Sequence, residues 1–176
     1  MAKLRKWVAY RTLERPFTRI SKYRSKSYVK SRPGIKIVRF DMGNLKGDFD
    51  YEVSLVSKAN FQVRQESIEA ARQTTNKLLE KKIGSSAYHF KIRKFPHHIL
   101  RENPLASGAG ADRLSTGMAR PFGKIIGVAA QVKKGDVIMT IRVKKENLPV
   151  ALASFKRAIS KLPMSYYIVP QKIVAN

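Results

Sequence analysis

The residues best equipped for chemistry in this chain are cations, and aromatic rings stand among them. Between Met1 and Arg32 lie Arg5, Lys6, Arg11, Arg15, Arg19, Lys22, Arg24, Lys26, Lys30 and Arg32, with Trp7, Tyr10, Phe17, Tyr23 and Tyr28 interleaved. Guanidinium and ammonium groups hold phosphates, and aromatic faces stack on unpaired bases. The mixture therefore fits a segment threaded through folded RNA. A purely electrostatic tail needs no rings, so the alternative for each ring is docking on the protein's own core.

Other chemistries are harder to assemble. The stretch Ser107-Gly108-Ala109-Gly110-Ala111-Asp112 resembles a phosphate loop in composition, but it lacks the Gly-Lys-Ser/Thr ending of a Walker loop and the third spaced glycine of a dinucleotide fingerprint. What survives is an RNA-facing loop, in which Arg101, Arg113, Arg120 and Lys124 outnumber Glu102 and Asp112, and Gly108, Gly110, Gly117 and Gly123 permit close backbone approach. His89, His97 and His98 are the only histidines. Adjacent residues such as His97 and His98 rarely point to one centre, and no cysteine completes a tetrahedral set, so no metal site is expected. Asp48, Asp50 and Glu52 alternate and would share a face in a strand, where they could hold a divalent cation; a solvated turn is the competing reading. Ser, His and Asp occur without a motif that sets a nucleophile beside a base, so neither catalysis nor a cofactor is expected.

Charge decides the class of partner. Lys and Arg number 36 against 12 Asp and Glu, a net +24 with a pI near 10.6. Self-repulsion at that charge opposes compaction, and a polyanion that neutralises it is the natural partner. Residues 1–32 hold 11 of the cations against Glu14 alone, and Pro16 and Pro33 punctuate them, which reads as an arm. An organelle transit peptide is also Arg-rich and acid-poor, but here the basic stretch runs on through Lys30 and Arg32 and Pro16 interrupts any helix. With no cysteine, no disulfide framework or thiolate nucleophile exists. No apolar run is long enough for a membrane span, so a soluble, cytoplasmic protein is expected.

These groups need a scaffold, and the periodicity supplies one. Strands are predicted at 35–40, 51–57, 87–94, 125–132, 137–143 and 166–169 from their β-branched and aromatic runs. A helix is predicted over 66–82, with Ile68, Ala71, Thr75, Leu78 and Leu79 on one stripe and Gly84 just past its end. A second spans 148–162, with Asn147 as cap, Pro149 in the first turn, and Leu148, Ala151, Leu152, Phe155, Ile159 and Leu162 on one face. The fold class is therefore α+β, a mixed or antiparallel sheet with two helices. A basic arm over 1–32 precedes a single core domain over 33–176, which carries a long aperiodic loop at 96–124.

Three segments together carry a family resemblance: RPFTRISKYRSKSYVKSRPGIKIVRFDMGN, SIEAARQTTNKLLEKKIG, and FKIRKFPHHILRENPLASGAGADRLSTGMARPFGKIIGVAAQVKKGDVIMTIR. They resemble the archaeal and eukaryotic branch, called "ten-e", of the universal large-subunit ribosomal protein sixteen family. GAGADRLSTGMARPFGK is specific by itself. The resemblance implies a non-catalytic α+β protein in the cleft between the central protuberance and the base of the factor-binding stalk. Its implied partners are large-subunit rRNA along the aminoacyl-tRNA corridor, tRNA, and neighbouring ribosomal proteins, with no small-molecule substrate and no membrane. The loop from Arg101 to Lys124 would point toward the peptidyl-transferase centre, and the protein would join late in subunit maturation. The absence of cysteine and the end of the chain soon after Ile173 depart from eukaryotic members and favour an archaeal source. Against this stand two other classes with a similar electrostatic footprint: a free-standing RNA-modifying enzyme and a DNA-binding architectural protein.

Overall fold

Among the described residues the strands pair antiparallel, in two sheets. A computed structural model describes residues 4–13, 23, 33–102, 110 and 123–173. Along these residues run β1 (Asp41–Gly43), β2 (Tyr51–Ser57), β3 (Phe61–Arg64), α1 (Gln65–Ile83), β4 (Tyr88–Ile92), β5 (His98–Glu102), β6 (Lys124–Val132), β7 (Val137–Val143), α2 (Leu148–Ile159) and β8 (Tyr166–Lys172). The larger sheet has the order β1-β4-β7-β2-β8 and the smaller the order β3-β6-β5. This is an α+β fold.

Register separates two chemistries across the larger sheet, because successive side chains of a strand point to opposite faces. On one face Val53, Ile141 and Phe90 are cross-strand partners, as are Leu55, Met139 and Ile92, and all six are buried. On the other, Glu52, Arg142 and His89 form one row, and Ser54, Thr140, Lys91 and Asp41 the next. The helices lie side by side, α1 against β3, β4 and β6 and α2 against β2, β7 and β8. Phe155 of α2 is fully buried and meets Phe90 edge to face, ring centroids 6.5 Å apart.

Both helices follow their sequence periodicity. Ile68, Ala71, Thr75, Leu78 and Leu79 are buried, and Gly84, at φ 78°, donates its N–H to Glu80 O at 3.2 Å to end α1. A residue with a β-carbon would be strained in that left-handed conformation. The start of α2 differs from the prediction. Asn147 makes no side-chain cap; a 3-10 turn over Lys145–Asn147 leads into the helix, with Pro149 in its first turn.

Four strand assignments also differ. Residues 35–40 form no strand: the Lys36 amide donates to Gln65 Oε1 at 3.0 Å and the Val38 amide to Glu69 Oε2 at 3.4 Å. Side chains of α1 thus take the place of a ladder, and Val38 is exposed. β1, β3 and β5 arise where no strand was predicted, β1 through its pairing with β4. Because His98–Glu102 belong to β5, the aperiodic stretch starts later than residue 96.

Candidate nucleic-acid interface

Residues 4–13, the first described part of the basic arm, lie against the outer face of the smaller sheet. Trp7 opens a 3-10 turn over Trp7–Tyr10 and donates its Nε1–H to Gln62 O at 2.8 Å. The Gln62 amide donates to Arg11 O at 3.3 Å, Gln62 Nε2 donates to Thr12 O at 2.6 Å, and Arg64 Nη1 donates to Arg5 O at 3.1 Å. Leu4 lies over Gly127 of β6, where an added β-carbon would be in ordinary van der Waals contact with Leu4 Cδ1 at 3.4 Å. Apolar contact and backbone hydrogen bonds therefore hold the segment, and its cations stay outside. Arg5, Lys6 and Arg11 are exposed, while Trp7 and Tyr10 are half-buried.

The long loop is rooted at the same place. β5 and β6 are its two stems, with Arg101 opposite Ile125 and Glu102 opposite Lys124, beyond a bulge at Leu100/Arg101. Arg5 Nε reaches Glu102 Oε1 at 2.5 Å, so the arm is clamped to the loop root. Glu102 Oε2 and Arg64 Nε are buried there without a hydrogen-bond partner among the described residues. Gly110 has φ 80°, with open space where a β-carbon would stand. Arg15, Arg19, Lys22, Arg24, Lys26, Lys30 and Arg32 of the arm, and Gly108, Arg113 and Arg120 of the loop, lie outside the described residues.

Under the docked segment sits a polar network. His98 is buried; its Nδ1 bonds Gln62 Oε1, and Gln131 Nε2 approaches the same nitrogen at 3.4 Å. Burial, with smaller contributions from His97 and Arg101, lowers the His98 pKa to about 4, so the ring is neutral at physiological pH. His97 turns its Nδ1 to Phe95 O instead, at 3.1 Å, and the two histidines share no centre.

Two of the three carboxylates proposed for a divalent cation, Asp50 and Glu52, are engaged elsewhere. Glu52 accepts Arg142 Nε at 2.6 Å and lies 3.7 Å from Arg93 Nη2, while Asp50 accepts the Lys145 amide. Among the described residues no group of three His, Asp or Glu could hold a metal ion, and no helix is long and apolar enough to cross a membrane.

One cationic feature escapes sequence reasoning. The Ser57 amide donates to Asp136 O at 3.0 Å, the Lys58 amide to Ser165 O at 3.2 Å, and the Lys134 amide to Asn60 Oδ1 at 2.7 Å. These bonds gather three distant turns and set Lys58, Lys133 and Lys134, all exposed, at one end of the molecule. Lys58 Nζ stands 4.3 Å over the Tyr167 ring. The only sequence signal is lysine recurring in turns between strands.

The sequence that builds this core matches a known family. The sequence model of ribosomal protein L16p/L10e matches residues 16–169. The chain belongs to the L16p/L10e family. "Large ribosomal subunit protein uL16" of Archaeoglobus fulgidus is 45% identical over 163 residues, covering 93% of this chain and 90% of the relative. The proteins of the same name from Methanoculleus marisnigri (45%, covering 87% and 90%) and Staphylothermus marinus (46%, covering 84% of each) are similar over nearly as much. All three relatives are archaeal, as the sequence resemblance favours. As an L16p/L10e member the chain is a structural ribosomal protein and not an enzyme.

Proposed function

We propose that this chain is a component of the large ribosomal subunit that anchors on rRNA and lends a loop to the aminoacyl-tRNA corridor. The clamp between Arg5 and Glu102 carries the reading: it ties the docked start of the basic arm to the root of the long loop, so two RNA-seeking segments start from one site. Arg5, Lys6 and Arg11, together with Arg15, Arg19, Lys22, Arg24, Lys26, Lys30 and Arg32, supply phosphate contacts, which fix position without reading sequence. The loop from Arg101 to Lys124, with Gly108, Gly110, Arg113 and Arg120, reaches toward tRNA and the peptidyl-transferase centre, and incorporation comes late in assembly.

Mutant subunits test this. Replacing Arg113 and Arg120 with Ala should leave incorporation intact and impair tRNA accommodation or late maturation. Wild-type tRNA binding and maturation in the double variant would remove the tRNA-facing role while leaving rRNA anchoring in place. Cross-linking of the chain on isolated ribosomes, with adducts to large-subunit rRNA along the arm, is the result expected for anchoring.

A further inference from the structure

Between the docked segment and the smaller sheet lies a cavity of about 210 Å³, lined by Ala9, Tyr10, Thr12, Gln62, His98 and residues 99–101 of β5. That volume is below the range for drug-sized ligands and suits a single ring system. Its polar wall has a fixed polarity. Because Gln62 Nε2 donates to Thr12 O, the Gln62 amide turns Oε1 toward His98, and Nδ1 must carry the proton. Nε2 is then a bare lone pair, since the bond to Gln62 uses Nδ1; with Nδ1 protonated, the 3.4 Å approach of Gln131 Nε2 to that nitrogen is a contact and not a hydrogen bond. On a ring that lines the cavity, such a lone pair can accept from an N–H donor. Tyr10 offers a ring to a flat ligand, although its hydroxyl is occupied by the Arg5 amide at 3.1 Å. Exposed Lys6 and Arg11 on the segment forming one wall favour a ligand tethered to anions, and no carboxylate stands among the described residues that line the cavity.

From this we infer that the cavity takes one unpaired nucleotide of rRNA, its amino-bearing base inserted beside Tyr10 with an N–H directed at His98 Nε2. Single-stranded bases are recognised in this way, splayed from the helix, stacked, and bonded along an edge. The inference rests on the rRNA-anchoring reading above. It adds a base contact to an interface otherwise made of phosphate contacts, and it places that contact between the arm and the loop root.

The full chain, naked large-subunit rRNA and ultraviolet cross-linking read by mass spectrometry provide the test. A nucleotide adduct on residues 9–12 or 98–101 is expected. Ala9→Phe, at an exposed position on the cavity wall, should abolish that adduct and weaken binding roughly tenfold, within the range a stacked base contributes. The slope of log affinity against log salt should stay unchanged, because no phosphate contact is lost. His98→Leu should weaken binding similarly; should it fail to fold, Ala9→Phe decides. Wild-type affinity for Ala9→Phe, adducts only elsewhere, or a reduced salt slope would overturn the base pocket while rRNA anchoring stands. In assembled subunits, a protein cross-link at these residues would assign the cavity to a neighbouring polypeptide and equally overturn it. No rRNA binding by the wild-type chain would remove both readings.

Discussion

Glu69 joins α1 to the segment lying along it through one carboxylate. It accepts Arg72 Nε at 2.8 Å and Arg72 Nη2 at 2.6 Å, Gln73 Nε2 at 3.0 Å, and the Val38 amide from the segment that lies along α1. The bond from Arg72, aided by those from Gln73 and Val38, outweighs burial and holds the carboxyl below its ordinary value of 4.5. A depressed carboxylate contributes stability above its unfolded pKa and loses it as pH falls through the folded one. Glu69→Gln should therefore cost roughly 1–3 kcal/mol at neutral pH, the range for leaving a buried polar partner unsatisfied. The deficit should shrink in acid, below the ordinary carboxylate range, because the wild type loses the same interaction there. Urea denaturation of both chains at neutral and acidic pH measures it; a deficit independent of pH would mean that packing, not charge, is what Glu69 provides. Phe155 is the apolar counterpart. Its ring is fully buried against Phe90, so Phe155→Ala should destabilise the chain by about 3–5 kcal/mol. Affinity of the folded fraction for rRNA should be unchanged, and weakened binding at unchanged stability would put Phe155 on the RNA-facing surface.

At the scale of elements, the docked segment behaves differently from the cations that follow it. Leu4 on Gly127 and Trp7 on Gln62 cover the outer face of the smaller sheet, and without them Gln62, His98 and Gln131 would meet water. Removing residues 1–13 should accordingly lower the melting temperature as well as rRNA affinity, whereas replacing Arg15, Arg19 and Lys22 with Ser should lower affinity alone. Calorimetry paired with salt titration separates the two, and an unchanged melting temperature in the deletion would show that the contacts over β3 contribute nothing. The same contacts explain which elements were legible in the sequence. α1 and α2 bury stripes spaced by their own periodicity, so Ile68, Ala71, Leu79, Ala151 and Phe155 announce themselves. β3 and β5 do not, because Gln62 and His98 look like solvent-facing residues until a segment some 50 positions earlier in the chain covers Gln62. Residues 35–40 look like a strand because Ile35, Ile37 and Val38 are β-branched, yet their amides are satisfied by Gln65 and Glu69, a long-range fact no local pattern contains. Of the candidate site, the cationic arm and the glycine-rich loop were readable as composition; the clamp that roots them together and the lysines gathered from three turns depend on sheet pairing.

For the whole molecule the governing quantity is the net charge of +24. Ion pairs on the polar face of the larger sheet neutralise some of it locally: Glu52 serves Arg142 and Arg93, and Asp41 serves Lys91. Acids are too few for the rest, which repel one another across a small domain. Salt should then act in opposite directions on the two states. In the free chain, raising monovalent salt from low to physiological strength shortens the Debye length to about 8 Å and screens that repulsion, so the melting temperature should rise. In the complex, phosphates already supply the neutralising charge, and salt competes with them by restoring counterions to the RNA. Affinity should fall steeply, with a log–log slope of roughly −0.7 to −0.9 per phosphate contacted. Thermal melts of the free chain and of its rRNA complex across one salt series make the comparison. Stabilisation of the free chain with simultaneous weakening of the complex is the expected pair of results. A free chain whose melting temperature falls with salt would show instead that its surface ion pairs outweigh its repulsion, and that the excess of cations does not make the fold depend on a polyanion.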